Sequence, residues 1–294
     1  MGKELYETSP VAKEYFEKAN EILGFRITDI MFEGSDEQLR QTRVTQPAVF
    51  LHSVITAIAQ GEEFCPDMVA GHSLGEFSAL TAAGALTFED GLKLVYKRAL
   101  AMQNACEMQQ STMAAILGLE DEIVEKICKE ISDQGETVLA ANYNCPGQLV
   151  IGGEKAAVTR AGELAMAAGA RRLMPLRVSG PFHTPLMQPA ADALAARFET
   201  QAFGEMRFPV LFNCLGHEKG DETIPSLLVR QVRESVYMED TIRRLMELGV
   251  DTVIEIGPGR ALSGFVAKTA GNAISCYAIE DAASLEAAVS AVLE

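Results

Sequence analysis

The sequence is poor in several features that mark specialised classes of protein. Basic residues are in the minority, with 25 Lys and Arg against 41 Asp and Glu in 294 residues, and the formal net charge is −16. Because such a charge repels phosphates, we expect no binding to nucleic acid. No apolar run reaches the length of a membrane span, and the N-terminus is charged within its first residues, which argues against a signal peptide. These absences predict a cytoplasmic protein that does not bind membranes.

The cysteines and histidines also lack a recognisable arrangement. The six cysteines are scattered, with no C-x-x-C pair and no Cys/His spacing suited to a metal. We therefore expect neither a disulfide framework nor a metal site. No repeat, low-complexity tract or linker divides the chain, and 48% of its residues are hydrophobic, which is enough for a substantial core. The length suits one large domain or a domain with an insertion.

The most informative stretch is a G-x-S-x-G motif in which Gly71, Ser73 and Gly75 hold the fixed positions. An apolar run over 66–70 predicts a buried strand, and an Ala- and Leu-rich run over 74–85 predicts a helix. Strand, sharp turn and helix form the context of a nucleophile elbow, which exposes its serine at the start of the helix. We expect both glycines to be required, because a side chain at either flank would clash. The simpler alternative is a Gly-Ser turn that caps a helix.

The rest of the chain alternates between predicted strands and helices. A helix opening at Thr45-Gln46-Pro47 and running to about Ala59 is apolar on most faces and is therefore expected to be buried. From residue 112 the order is strand, helix, strand, strand, helix, strand, the ferredoxin-like pattern. We interpret 111–178 as a small subdomain inserted into a large α/β subdomain made of 1–110 and 179–294, with a mostly parallel sheet.

A serine nucleophile needs a base, and the sequence offers four histidines. His72 adjoins Ser73, but a neighbouring side chain points away at an elbow. His217 lies in a polar loop, and His52 lies within the apolar helix, where a core histidine is the simpler interpretation. His183 lies in a rigid Pro- and Gly-flanked loop at the hinge between the predicted subdomains. By elimination, His183 is the best candidate for the base.

A histidine base also needs a group that fixes its tautomer. Asp251 and Glu255 are the formal candidates, but both lie on an apolar strand, where a structural role fits equally well. A backbone carbonyl would serve the same purpose and leave no trace in the sequence. Arg98, in a helix predicted from Phe88, has the pattern of a solvated surface arginine.

Several segments together resemble the malonyl-CoA:acyl carrier protein transacylases, the acyltransferases that load malonyl groups for fatty acid synthesis. The resemblance implies an α/β-hydrolase-like parallel-sheet core with an inserted ferredoxin-like (βαββαβ) subdomain. The matching segments occur in family order across nearly the whole chain: Thr45-Gln46-Pro47-Ala48, Gly71-His72-Ser73-Leu74-Gly75-Glu76, Arg98 with Met102-Gln103, Asn144-x-Pro146-Gly147-Gln148, Pro181-Phe182-His183, Leu228-Val229-Arg230-Gln231 and Glu255-x-Gly257-Pro258-Gly259.

The resemblance implies a specific chemistry. Ser73 would take malonyl from malonyl-CoA and pass it to the phosphopantetheine thiol of acyl carrier protein. His183 would be the general base, oriented by the backbone carbonyl of Gln231. Arg98 would hold the malonyl carboxylate, because a guanidinium can grip a carboxylate with two parallel hydrogen bonds.

Further expectations follow from the same resemblance. Gln46 would contact the substrate, and the ring of Phe182 would crowd an α-methyl branch and so favour malonyl over methylmalonyl. No cofactor is implied, since malonyl-CoA is a substrate and the partner carries the phosphopantetheine. We expect a monomer whose partner, an acidic carrier protein, docks on basic side chains; the candidates are Arg171, Arg172, Arg177, Arg260 and Lys268.

One departure from the family concerns the oxyanion hole. Family members begin with a strand and a glycine-rich loop whose glutamine amide is the second oxyanion donor, and this sequence has no counterpart to them. The Leu74 amide, at the positive end of a helix dipole, would then be the one donor left. Three alternatives stay open: a serine esterase or thioesterase on the same elbow, malonyl loading for a polyketide pathway, and a non-catalytic chain that binds carrier protein.

Overall fold

The computed structural model describes residues 1–178 and 180–293. The predicted subdomain boundary at Ser179 and the last residue of the chain, Glu294, lie outside the described residues. Strands and helices alternate along most of the chain, which confirms the α/β class. The helices are α1 (Lys3–Thr8), α2 (Pro10–Leu23), α3 (Ile27–Glu33), α4 (Asp36–Leu39), α5 (Thr42–Ala59), α6 (Gly75–Ala82), α7 (Phe88–Glu107), α8 (Asp121–Ser132), α9 (Lys155–Ala167), α10 (Gln188–Phe198), α11 (Ile224–Arg233), α12 (Met238–Glu247), α13 (Ala261–Ala270) and α14 (Ala282–Leu293).

The strands are short in one part of the chain and long in another. They are β1 (Val69–Ala70), β2 (Ser111–Leu117), β3 (Val138–Cys145), β4 (Gln148–Glu154), β5 (Arg172–Pro175), β6 (Val210–Phe212), β7 (His217–Glu218), β8 (Val236–Tyr237), β9 (Thr252–Ile256) and β10 (Ser275–Ile279). None of the helices within the described ranges is long and apolar enough to cross a membrane.

The chain forms two compact units. The first comprises Met1–Ala99, Ala202–Leu211 and the stretch from Leu245 on, and the second comprises Leu100–Gln201 and Phe212–Arg244. The small and large subdomains drawn from the sequence, with boundaries after residues 110 and 178, stay a prediction.

In the first unit, short parallel strand pairs carry the elbow and the C-terminal region. β1 pairs in parallel with β6, and β9 pairs in parallel with β10 over five residue pairs. β1 is shorter than the strand predicted over 66–70, consistent with Pro66, which has no N–H to donate to a ladder. The parallel pairing predicted from the alternation of strands and helices is therefore present.

Helix α5 begins at Thr42, earlier than the predicted start at Thr45, so that Pro47 lies inside the helix rather than at its opening. A proline there removes the hydrogen bond that its N–H would donate to the carbonyl of Arg43. The helix tolerates this loss because it buries twelve of its eighteen residues, so that packing outweighs local propensity.

The second unit contains a five-stranded sheet in the order β5-β2-β4-β3-β8. Its first four strands pair antiparallel, and β8 joins β3 in parallel. Successive residues of β2 face opposite sides: Ala114 and Ile116 pack into a core formed with α8 and α9, and Met113 and Ala115 belong to a smaller cluster on the other face. The two-residue period expected of a strand thus gives the sheet two apolar faces.

Candidate active site

The predicted nucleophile elbow adopts a backbone conformation that ordinary residues avoid. Ser73 has φ 53°, in the left-handed region, at the turn between β1 and α6. The amide of Gly75 donates to the carbonyl of His72 at 2.9 Å, and that of Glu76 donates to the carbonyl of Ser73 at 3.1 Å. A non-glycine residue in this region costs about 1–3 kcal/mol and persists where its surroundings enforce it. Within residues 1–178 and 180–293, the one other non-glycine residue with positive φ is His183, at 60°.

The two glycines of the motif have different roles. A Cβ on Gly71 would lie 2.0 Å from the carbonyl carbon and oxygen of Gly75 and 2.6 Å from the amide nitrogen of Glu76, so no side chain fits there. A Cβ on Gly75 would meet no atom within 4 Å, and the backbone there does not have positive φ. The expectation that both glycines are sterically required is correct for Gly71 and wrong for Gly75, because the chain folds back against one flank only.

The amide of Leu74 lies at the N-terminus of helix α6. Leu74 is the N-cap of α6, and the carbonyl of Leu74 accepts from Phe77 at 3.0 Å. Its own amide donates to no backbone carbonyl in the described part of the chain. An amide at a helix N-terminus, next to the serine, is suitably placed to donate to negative charge that develops on a substrate oxygen.

Arg98 lies beside Ser73 and is buried. Only 1% of its surface is exposed, so the surface position that its sequence pattern predicts is wrong. Nη1 donates to Gln46 Oε1 at 2.5 Å, Nη2 donates to Ser73 Oγ at 3.1 Å, and the guanidinium carbon lies 5.6 Å from the centre of the Phe77 ring. Burial lowers the pKa of Arg98 to about 10, and the charge of Glu76, which is itself fully buried, opposes that shift. The side chain is therefore a cation at neutral pH.

His183 caps the end of a helix in the second unit. Its Nδ1 lies 2.7 Å from the carbonyl oxygen of Gln231, and its backbone amide donates to the carbonyl of Val232 at 3.2 Å. Both carbonyls belong to the last turn of α11, where carbonyls have no partner within the helix. A carbonyl accepts only from a protonated nitrogen, so the contact places a proton on Nδ1; in the neutral imidazole, Nε2 is then the nitrogen that carries the lone pair.

Asp251 and Glu255 have structural roles. The carboxylate of Glu255 accepts from the backbone amides of Leu262 and Ser263, at 3.1 and 2.7 Å, and from the hydroxyl of Ser263 at 2.6 Å. These contacts cap the N-terminus of α13, where a negative charge is favourable. Asp251 accepts from the side chain of Thr252, its neighbour, at 2.9 Å.

The other histidines also have local explanations. His52 is buried, and its Nε2 lies 3.0 Å from the carbonyl oxygen of Glu280, which is distant in sequence. Desolvation lowers the pKa of His52 below its ordinary value, so it is neutral at pH 7. The ring of His72 lies 6.1 Å from that of Phe265, and the exposed His217 contacts the carbonyl of Glu218.

Phe182 lies against the sheet of the second unit. Its ring packs on the smaller apolar cluster, which also includes Met113, Ala115 and Val150. The first unit thus brings Ser73 together with the predicted substrate-binding pair Gln46 and Arg98, and the second unit holds Phe182 next to the His183–Gln231 contact. Sequence reasoning did not single out Phe77, which lies under the guanidinium, or Thr184 beside His183, since neither belongs to a recognisable motif.

Known proteins of similar sequence indicate the family to which the chain belongs. A family model described as an acyl transferase domain matches residues 1–288. The chain belongs to the acyl transferase family. Its relatives include the malonyl CoA-acyl carrier protein transacylase of Bacillus subtilis, which is 41% identical over 302 residues, a match that covers 100% of this chain and 93% of the relative.

Solved structures of the acyl transferase family agree closely with this one. MCAT from Streptococcus pneumoniae is 42% identical and superposes with a TM-score of 0.93, covering 99% of this chain and 95% of that one. A malonyl-transacylase solved in complex with its type II polyketide synthase acyl-carrier protein is 40% identical, with a TM-score of 0.94 and coverage of 99% and 94%. The resemblance of the sequence to malonyl transacylases is confirmed.

Proposed function

We propose that this acyltransferase moves malonyl from malonyl-CoA to the phosphopantetheine thiol of acyl carrier protein, through malonyl-Ser73, in type II fatty acid synthesis. The observation that carries the proposal is the buried guanidinium of Arg98, whose Nη2 lies 3.1 Å from Ser73 Oγ. A cation held beside a nucleophile suits an acyl group that itself carries a negative charge.

The geometry of malonyl fits this pairing. Its carboxylate and its thioester carbonyl are separated by a single CH₂ group, so a carboxylate held by Arg98 keeps the carbonyl close to Ser73 Oγ. Gln46 Oε1 accepts from Nη1 and thereby fixes the plane of the guanidinium. Acetyl-CoA lacks the carboxylate and would leave the buried cation without this partner. Selection of malonyl and positioning of its reacting carbon therefore depend on the same side chain.

The transfer needs a base and a stabilised oxyanion. In the proposed first step, His183 Nε2 takes the proton of Ser73 while Oγ attacks the thioester carbon. This attack forms a tetrahedral intermediate, whose oxyanion accepts a hydrogen bond from the amide of Leu74. The C–S bond then breaks, and coenzyme A leaves with the proton that His183 had taken. In the second half-reaction, the carrier thiol attacks the carbonyl of malonyl-Ser73 while His183 takes the thiol proton. The C–O bond to Ser73 then breaks, and His183 returns the proton to Oγ. The carbonyl of Gln231 keeps the proton of neutral His183 on Nδ1, as an acidic triad member does elsewhere.

The proposal also includes the arrangement of the subdomains. We interpret the sheet order β5-β2-β4-β3, with α8 and α9 on one face, as a ferredoxin-like subdomain inserted into an α/β-hydrolase-like core. Phe182, packed on the other face of that sheet, would exclude the methyl branch of methylmalonyl. We further propose a cytoplasmic monomer that needs no cofactor or metal.

The first test is intact-protein mass spectrometry after brief incubation with malonyl-CoA, with Ser73→Ala as the matched control. We expect a malonyl adduct on the parent protein, none on the variant, and little adduct from acetyl-CoA. Addition of carrier protein bearing phosphopantetheine should remove the adduct and malonylate the carrier, whereas the apo-carrier should not. Rapid release of free malonate without a carrier would instead indicate a hydrolase, and absence of any adduct would contradict covalent transfer.

A further inference from the structure

Thr184, the residue after the proposed base, is held in an unusual way. It is completely buried, and its hydroxyl donates to the carbonyl oxygen of Pro181 at 2.6 Å. This bond joins the two ends of a four-residue turn. The two residues inside the turn are Phe182 and His183, which the proposed function assigns to substrate selection and to proton transfer.

The conformation of His183 needs such support. Its φ of 60° is one that a residue with a side chain rarely adopts, and Thr184 returns the chain to an extended conformation with φ −131° and ψ 162°. With this backbone, His183 places both its amide and its Nδ1 against the last turn of α11. A relaxed turn would rotate the amide away from Val232 and the ring away from Gln231.

The methyl group and the backbone carbonyl of Thr184 also contact their surroundings. A Cβ added to Gly152 of β4 would come within 3.2 Å of the Thr184 Cγ2 methyl, so that methyl lies against the sheet. The carbonyl of Thr184 accepts from the amide of Met187 at 2.9 Å, which starts the short 3₁₀ turn Pro185–Met187. The hydroxyl therefore has a fixed direction, toward the buried residue Pro181.

We propose that Thr184 is a positioning residue for the transfer reaction: its hydroxyl locks the turn that keeps His183 in the left-handed conformation and its Nδ1 on Gln231. This inference rests on the proposed function for its kinetic consequences. Its structural part, the dependence of the His183–Gln231 contact on the Thr184 hydroxyl, does not.

The test compares Thr184→Val, which keeps the shape but removes the hydroxyl, with Thr184→Ser, which keeps the hydroxyl but removes the methyl. A base misplaced by a fraction of an ångström to an ångström loses up to about a hundredfold in rate, so we expect kcat of Thr184→Val to fall about ten- to a hundredfold. KM for malonyl-CoA should change less than about twofold, because the Arg98 side chain is untouched. Thr184→Ser should retain at least about half of the parent kcat.

A spectroscopic measurement separates positioning from general destabilisation. The Nδ1 proton of His183, bonded to a carbonyl, should give a low-field proton NMR signal, assigned by its absence in His183→Ala. We expect that signal in the parent and in Thr184→Ser, and a broadened or missing signal in Thr184→Val. If Thr184→Val does not fold, Thr184→Ala replaces it as the variant without a hydroxyl.

Two results would overturn the proposal. One is a parent-like kcat and NMR signal in Thr184→Val, and the other is an impairment of Thr184→Ser as large as that of Thr184→Val, which would assign the effect to the packing of the side chain rather than to its hydroxyl. If the parent protein forms no malonyl-serine, the proposed function fails. The NMR comparison among the variants then still decides the role of Thr184.

Discussion

The two glycines of the elbow make the sharpest prediction, because they are four positions apart in one motif and have different surroundings. In Gly71→Ala the new Cβ would lie 2.0 Å from the carbonyl of Gly75, and ordinary contact begins at 3.4 Å, so the backbone must move by about 1.4 Å. Gly75→Ala adds a Cβ in open space at the first residue of α6, where alanine favours the helix by up to about 0.5–1 kcal/mol.

The expected magnitudes follow from that displacement. Overpacking of this kind costs about 1–3 kcal/mol, which should lower the melting temperature of Gly71→Ala by several degrees. The Ser73 hydroxyl, 3.1 Å from Arg98, would move with the turn, and a misplacement of about 1 Å costs about a hundredfold in rate. Gly75→Ala should keep or slightly raise the melting temperature.

The assay measures thermal unfolding and the rate of malonyl-adduct formation for the parent and both variants. A serine-reactive fluorophosphonate, which does not need the malonyl carboxylate, reports on the elbow independently of Arg98. A Gly71→Ala protein with parent-like stability and labelling would refute the steric argument. An equal loss of stability in both variants would refute the asymmetry between the two flanks.

Three further predictions concern charge. Arg98→Ala should lower the malonyl-over-acetyl preference in kcat/KM by about a hundredfold or more, since charge-assisted hydrogen bonds contribute about 1.5–3 kcal/mol each; an unchanged ratio would show that the carboxylate binds elsewhere. Charge reversal at Arg171, Arg172 and Arg177, which are exposed and form no ion pair within the described part of the chain, should slow transfer to carrier protein while sparing acylation by malonyl-CoA; equal loss in both half-reactions would argue against docking there. Burial, aided by Glu239, raises the pKa of Asp121 to about 6, so the folded state holds this proton more tightly than the unfolded state and loses stability as the pH rises from about 4 to about 6. Asp121→Asn should therefore raise the free energy of unfolding at pH 7.5 and have little effect at pH 4, as measured by denaturant unfolding. We expect a gain of about 1 kcal/mol, because the side chain is partly solvated. The same gain at both pH values would contradict the raised pKa of Asp121.

Local sequence patterns determined much of the fold and part of the site. The elbow at Ser73 could be predicted because it depends on a few adjacent residues, among which Gly71 is required sterically. The four antiparallel strands of the larger sheet and the helices α8 and α9 are predicted from the pattern of short segments, whereas β8, a two-residue strand that joins β3 from far along the chain, is not. The order of these elements in turn favours the α/β class.

The tertiary structure alone decided what depends on residues far apart in the chain. Arg98 has the sequence pattern of a surface residue, yet it is buried against Gln46 and Ser73, 52 and 25 residues away. The partner of His183 is a backbone carbonyl, and every residue type has one, so its identity as Gln231 came from a family resemblance rather than from local chemistry. Glu255 lies where a triad acid would be sought, but its contacts are with the start of α13.

The physical reason is that a side chain's role is set by its burial and by its partners. The sequence by itself specifies periodicity, turns and caps, each of which involves neighbours within a few residues. The burial of the Arg98 cation against Gln46 and Ser73, and the contact of His183 with the carbonyl of Gln231, arise only when segments that are distant in the chain pack together.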